Sequence, residues 1–292
     1  MKKTFIHFAA LAALIFTAPA ATAQFAKGDY QSAELLRLPK TTTLVAFTGE
    51  STFDSAFKAA VVKYWKETPV EFLSQEAALK KGSSTKYSLL MPVNVTITTR
   101  DFTSGIVKSS KSTFLALTLG SRKALADYTV QDFLAYSVFD NEDAEKDFNA
   151  AAYRAGLMVA NIQNALELIK SQKFQGSIVE ESKFWAKNYN GGIPKIKNRV
   201  LLINRAYLNN ELTEADIAKN YPFPYKIVDA AEIAPILEEG SFEYAVLVKT
   251  TSQEKHIFVM DAGTGKPMYF TVAQYGNTLD KSDLKTLAKA FK

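Results

Sequence analysis

The two halves of this chain carry the same order of structural punctuation, and that order restricts the fold more than any other feature. In the first half, Thr42–Phe47 is a β-branched, apolar run. A helical pattern follows from about Ser55 to Glu67, where Phe57, Ala60, Val61, Tyr64 and Trp65 recur at three- and four-residue steps. Pro69 precedes a short strand at Val70–Leu73, Gln75–Lys81 reads as a helix stopped by Gly82, and Tyr87–Thr99 reads as a long strand. In the second half, Arg199–Asn204 is the first strand and Thr213 caps a short helix. Pro224 precedes a strand at Tyr225–Val228, Ala230–Glu239 is a helix stopped by Gly240, and Tyr244–Lys249 is the next strand. Two more strands follow in each half, at Thr113–Leu119 and Ala124–Tyr128 and at His256–Met260 and Met268–Val272. Each half closes on a helix, Glu142 to about Lys173 and Asp280–Phe291.

This order predicts an α/β chain with an α+β tendency, built from two similar βαβαβββα modules. The βαβ openings call for parallel strands with right-handed crossovers, and the short-linked later strands for antiparallel pairing. Each sheet is therefore expected to be mixed, with helices packed on it. The expected boundaries are a polar leader at 24–40, a first module at 41–139, a long connecting helix at 140–175, a linker at 176–197 and a second module at 198–292.

The connecting helix carries a seam. Phe148, Ala152, Ala155, Val159, Ile162, Leu166 and Ile169 alternate steps of four and three, and Ala151, Met158 and Ala165 widen the apolar face. Two readings fit: the helix packs along both modules, or residues 148–169 form a homodimer seam.

The opening 23 residues predict export. Lys2 and Lys3 precede an apolar run, Phe5–Phe16, and small residues end in Ala21-Thr22-Ala23, the layout of a signal peptide cleaved after Ala23. That run is too short to cross a bilayer, and no other segment is expected to span one after cleavage. The protein is thus expected in the periplasm or outside the cell. Composition then excludes chemistry. There is no cysteine, so thiol nucleophiles, thiolate metal sites and disulfides are all ruled out. Of two histidines, only His256 lies outside the signal, which rules out a multi-histidine zinc site within one chain. No metal and no cofactor are expected. The net charge is +5, two units of it from Lys2 and Lys3, and the rest is dispersed; nucleic acid is not an expected partner.

Several local patterns invite catalytic readings that their context weakens. Ser55 and Lys58 have the S-x-x-K spacing in which a lysine eases deprotonation of a serine, but the same spacing recurs at Ser83/Lys86, Ser252/Lys255 and Ser282/Lys285. Gly263-Thr264-Gly265-Lys266 suggests a phosphate loop, yet Pro267 and a strand follow where a helix is required, so a hairpin turn is expected. Asp140, Glu142, Asp143, Glu145 and Asp147 suit the first turn of a helix through its dipole better than a cation loop. His256 alternates with Phe258 and Met260 on a strand, the pattern of a packed residue.

Topology is the better guide to a ligand site, because α/β sheets bind ligands beyond the carboxyl ends of parallel strands. Those ends place Glu50, Ser51 and Thr52 in the first module and Asn204, Arg205 and Asp229 in the second. Trp185 and Tyr189, beside Gly191-Gly192, are either a stacking platform or plugs at the junction between modules. The expected function is non-catalytic binding or scaffolding of an unidentified envelope ligand or protein. The alternative is a secreted hydrolase working through Glu50 and Asp229.

Overall fold

The computed structural model describes residues 32–100, 107–139, 148–174, 178–251, 255–273 and 276–292. The expected signal peptide, most of the expected polar leader and the acidic cluster Asp140–Asp147 lie outside them. After a short helix, α1 (Ala33–Arg37), the first module runs β1 (Thr42–Phe47), α2 (Ser51–Tyr64), β2 (Val70–Ser74), α3 (Gln75–Lys81), β3 (Tyr87–Arg100), β4 (Val107–Leu119) and β5 (Phe133–Val138). A 3-10 segment, Phe148–Arg154, leads into α4 (Ala155–Gln172), α5 (Ile178–Tyr189) and the one-turn α6 (Ile193–Ile196). The second module is β6 (Val200–Asn204), α7 (Glu214–Asn220), β7 (Tyr225–Val228), α8 (Ala230–Glu239), β8 (Tyr244–Thr251), β9 (Lys255–Asp261), β10 (Pro267–Ala273) and α9 (Lys281–Ala290).

The two sheets share one topology. Their orders are β2-β1-β3-β4-β5 and β7-β6-β8-β9-β10, each with parallel pairs about its first strand and antiparallel pairs beyond. The equivalence extends to single residues. Thr43 N–H donates to the Pro69 carbonyl at 2.8 Å, as Leu201 N–H does to that of Pro224 at 3.0 Å. Register makes Thr42↔Tyr87 the counterpart of Val200↔Tyr244, and Ser88↔Leu119 that of Ala245↔Asp261. Both final strands then carry an extra residue at the same place. Leu117↔Ala135 and Thr118↔Phe133 leave Leu134 unmatched, and Met260↔Pro267 and Val259↔Tyr269 leave Met268 unmatched. A bulge repeated at one register position is a designed feature, and it identifies the halves as copies of one architecture.

Right-handed crossovers place α2 and α3 on opposite faces of the first sheet, and α7 and α8 on opposite faces of the second. One core fills the space between the sheets. It takes Val45, Leu90 and Leu115 from the first sheet, Leu202, Val246 and Phe258 from the second, and the inner sides of α2, α4, α5 and α8. Outside it, α3 covers one face of the first sheet, and α7 and α9 cover the outer face of the second. There, buried Lys255 pairs with Asp283 at 2.5 Å and donates to the Thr278 carbonyl at 3.0 Å, fastening α9 to the sheet.

Several expectations need correction. The long helix is α-helical only from Ala155, and residues 148–154 wind as a tighter 3-10 segment. That segment turns Tyr153 and Arg154 toward the second module, where they bond Asn204 and the Lys249 carbonyl. Its seam does not face a second copy: Ala152, Ala155, Val159, Ile162, Leu166 and Ile169 are buried within one chain, so the homodimer reading of residues 148–169 is withdrawn. The 176–197 linker is mostly helical, in α5 and α6. Ala124–Tyr128 is not a strand: Leu125–Asp127 is a 3-10 turn, and the fifth strand lies at Phe133–Val138. Among the described residues no helix is long and apolar enough to cross a membrane.

The β9–β10 turn presses on the shared helix. Gly265 has φ +69°, and a Cβ built there would lie 2.6 Å from the Ala160 Cβ. Gly265→Ala therefore meets both a left-handed backbone and a clash with a side chain that cannot swing away. A loss of roughly 2 kcal/mol in a urea unfolding experiment is expected, from the combined costs of strain and overpacking.

Candidate functional site

The crossover helices α2 and α8 come from different modules but meet in the central layer. Between them lies a groove of about 550 Å³, within the roughly 300–1,000 Å³ of small-molecule sites. One wall is the face of α2 carrying Thr52, Ser55, Ala56, Ala59 and Lys63. The floor is Ala152, Tyr153, Gly156 and Leu157, and the opposite wall is Ala234, Leu237 and Glu238 of α8. The groove exists because these contact positions hold alanine and glycine, which cannot bridge the gap between two helices that both rest on the 3-10 segment 148–154.

Its polar groups sit toward the ends. Lys63 Nζ donates to the Leu237 carbonyl at 3.3 Å and lies 5.2 Å from the centre of the Tyr64 ring. The ammonium thus caps the carboxyl end of α8, where the helix dipole favours a cation. Gly240, with φ +73°, closes that helix in a left-handed cap. Toward the other end, the Tyr153 hydroxyl is 2.9 Å from that of Tyr207 and accepts from Asn204 Nδ2 at 3.0 Å.

The strand-end residues gather around the same 3-10 segment. Thr52 lines the groove. Ser51 begins α2, and Glu50, its N-cap, accepts from Asn149 Nδ2 at 3.0 Å, while Asn149 Oδ1 accepts from Phe53 N–H at 3.1 Å. Asn204 reaches the groove through Tyr153. Arg205 and Asp229 face each other at 3.5 Å on the exposed surface, with Asp229 as the N-cap of α8. Residues 148–154 thereby tie the carboxyl end of β1 to that of β6.

Other candidates fall outside the groove. Trp185 and Tyr189 are buried, with stacked rings 5.4 Å apart in the central core, and offer no face to a ligand. Ser55 opens on the groove, but the Lys58 ammonium lies over the Phe72 ring at 5.6 Å. Gly263–Lys266 is a hairpin turn: Asp261 Oδ1 accepts from Gly263 N–H at 2.8 Å and Thr264 N–H at 3.2 Å, and also pairs with Arg199 at 2.8 Å. Among the described residues no group of three or more metal-ligating side chains forms.

No family model, curated protein or solved structure matches this chain. The groove residues Lys63, Tyr153, Gly156 and Glu238 escaped the sequence reading because they belong to four elements brought together only by module packing. The available signal was the small-residue run Ala56, Ala59 and Ala60 beside Lys63 on one helix.

His256 belongs to the core instead. It is fully buried on β9, its ring stacked 6.0 Å from Phe270. Burial disfavours the imidazolium and lowers its pKa to about 4. The unfolded chain takes up a proton near pH 6.5 that the folded chain refuses until about pH 4. Stability is therefore full above pH 6.5 and falls as pH drops to about 4, by about 3 kcal/mol. Asp132, Asp216 and Asp280, whose folded pKa values are lowered, add their losses only below the usual carboxylate range. Urea midpoints between pH 7 and 4.5 test this, and His256→Phe is expected to flatten the slope in that window.

Proposed function

We propose that this is an exported envelope protein that binds an apolar or amphiphilic small molecule in the groove between α2 and α8, without catalysing a reaction. The observation that carries this reading is the groove itself: a mostly apolar concavity beside the carboxyl ends of parallel strands from both modules, with a lysine at one end and a hydroxyl network at the other. The signal-like start, Lys2 and Lys3 followed by Phe5–Phe16 and Ala21-Thr22-Ala23, supports a periplasmic or extracellular location. Binding is favoured over hydrolysis because the groups with displaced pKa values lie away from the groove. Among the described residues they are Lys81, Asp132, Asp216, Tyr221, His256, Tyr269 and Asp280. An acid–base site would collect such groups in its cleft. Glu50 and Asp229, the carboxylates suggested by topology, are each occupied at a helix start, by Asn149 and by Arg205.

The probe is a fluorescent fatty acid, cis-parinarate, added to the chain lacking Met1–Ala23. Its tail suits the alanine walls and its carboxylate suits Lys63. Ala59 is exposed on the groove wall, so Ala59→Trp fills the space without entering the core. The variant is expected to keep its unfolding midpoint and bind at least about tenfold more weakly, a loss of about 1.4 kcal/mol. Equal binding by both proteins, or none by the unaltered one, would overturn the assignment.

A further inference from the structure

The internal copy supplies a reference length for every strand, and one hairpin departs from it. In the second module the β8–β9 ladder ends at Thr251↔Lys255, with residues 252–254 between the strands. Register makes this pair the counterpart of Asn94↔Thr113. In the first module the ladder does not stop there. Six further pairs follow, Val95↔Ser112 through Arg100↔Val107. At about 3.4 Å per residue this adds an arm of about 20 Å.

The described strands of the rest of the sheet do not use the arm. Strand β1 pairs with β3 only as far as Val45↔Leu90, and β5 pairs with β4 from Phe114↔Val138 onward. Among the described residues, no strand lies beside residues 95–100 on the side of β3 that β1 has left. A two-stranded ribbon by itself is marginal in water, and an open strand edge is a template for another chain. Its sequence is suited to pairing, with Val95, Thr96, Ile97, Thr98 and Thr99 forming a run of strand formers. Its charge is net positive: residues 95–112 include Arg100, Lys108 and Lys111 against a single carboxylate, Asp101. Two such arms brought edge to edge would set six cations against only two carboxylates, which disfavours a second copy. An acidic strand would instead meet opposite charge within a Debye length of about 8–10 Å.

We propose that the β3–β4 arm is a docking edge, at which an acidic, extended segment of a partner protein adds as a further strand beside residues 95–100. Main-chain hydrogen bonds to the open edge would hold the segment, and the net positive charge of the arm's sequence would select for acidic residues in it. This inference is independent of the groove.

The second module also provides the test variant: residues 95–112 replaced by Ser-Gln-Glu, the sequence at 252–254. The probes are a short peptide alternating valine with glutamate and its lysine counterpart. The glutamate peptide is expected to bind the unaltered mature chain, to weaken as salt rises, and to slow amide exchange at residues 95–100. The graft and the triple variant R100E/K108E/K111E should each bind it at least tenfold more weakly while retaining a cooperative urea unfolding transition. Should the graft fail to fold, the triple variant carries the same test. Equal binding by either variant, or equal binding of the lysine peptide, overturns the proposal. So does arm-dependent capture of phosphatidylglycerol vesicles, or arm-dependent dimerisation, without binding of the glutamate peptide.

Discussion

Burial of α4 from two sides is the constraint on which the rest of the structure depends. Eleven of its eighteen residues are buried, among them Leu157, Met158, Val159, Ile162, Ala165, Leu166 and Ile169. A helix on one sheet needs a single apolar stripe, whereas one between two sheets needs apolar side chains on both sides. Its counterpart α9 shows the contrast, burying only Asp283, Leu284, Leu287 and Ala288 against the outer face of the second sheet. The same module design thus ends in an outer helix in one copy and in the central helix of the molecule in the other. Once α4 is central, the inner faces of both sheets are committed to it, and the halves cannot part without exposing one continuous core.

The order of elements was legible because its signals are local. Pro69 and Pro224 sit before edge strands, where a missing N–H costs nothing, and Gly240 takes a left-handed cap that other residues resist. The misplaced fifth strand shows where local signals stop. Phe133–Val138 is apolar nearly throughout because both of its faces are covered, so it shows no clear alternation to distinguish strand from helix. The outer half of β4 failed for the opposite reason. Residues 107–112 are largely serine and lysine, and only the long partner β3 reveals them as a strand. The 3-10 segment was hidden by a seam that remains periodic through it, since residues 148–154 serve two modules rather than one helix face.

The candidate site was legible only at its strand ends. Thr52 and Asn204 could be named from topology, because the carboxyl end of a parallel strand is fixed once the βαβ order is known. That Tyr153 would join them could not be read, since its partners Tyr207 and Asn204 lie about fifty residues away in the other module. Trp185 and Tyr189 mark the converse difficulty. Aromatic residues near a glycine pair fit a platform or a plug equally well, and only their burial decides.

The shared topology of the two modules also explains why one such groove, rather than two, forms among the described residues. The central layer takes the first crossover helix of one module, α2, and the second crossover helix of the other, α8, because the modules turn opposite faces to α4. Their counterparts, α7 and α3, are separated by both sheets and cannot meet. A groove between crossovers can therefore form once only, and its walls descend from non-equivalent positions. That asymmetry accounts for the chemical difference between the two sets of strand-end loops. Thr52 faces the opening directly, while Asn204 acts through Tyr153 and Arg205 and Asp229 hold the start of α8. In a symmetric pairing, each module would have kept its own strand-end site. Here the first module contributes one wall, the 3-10 segment and α4 contribute the floor, and the second module contributes the helix that closes the space, so the groove needs both modules and the segment between them.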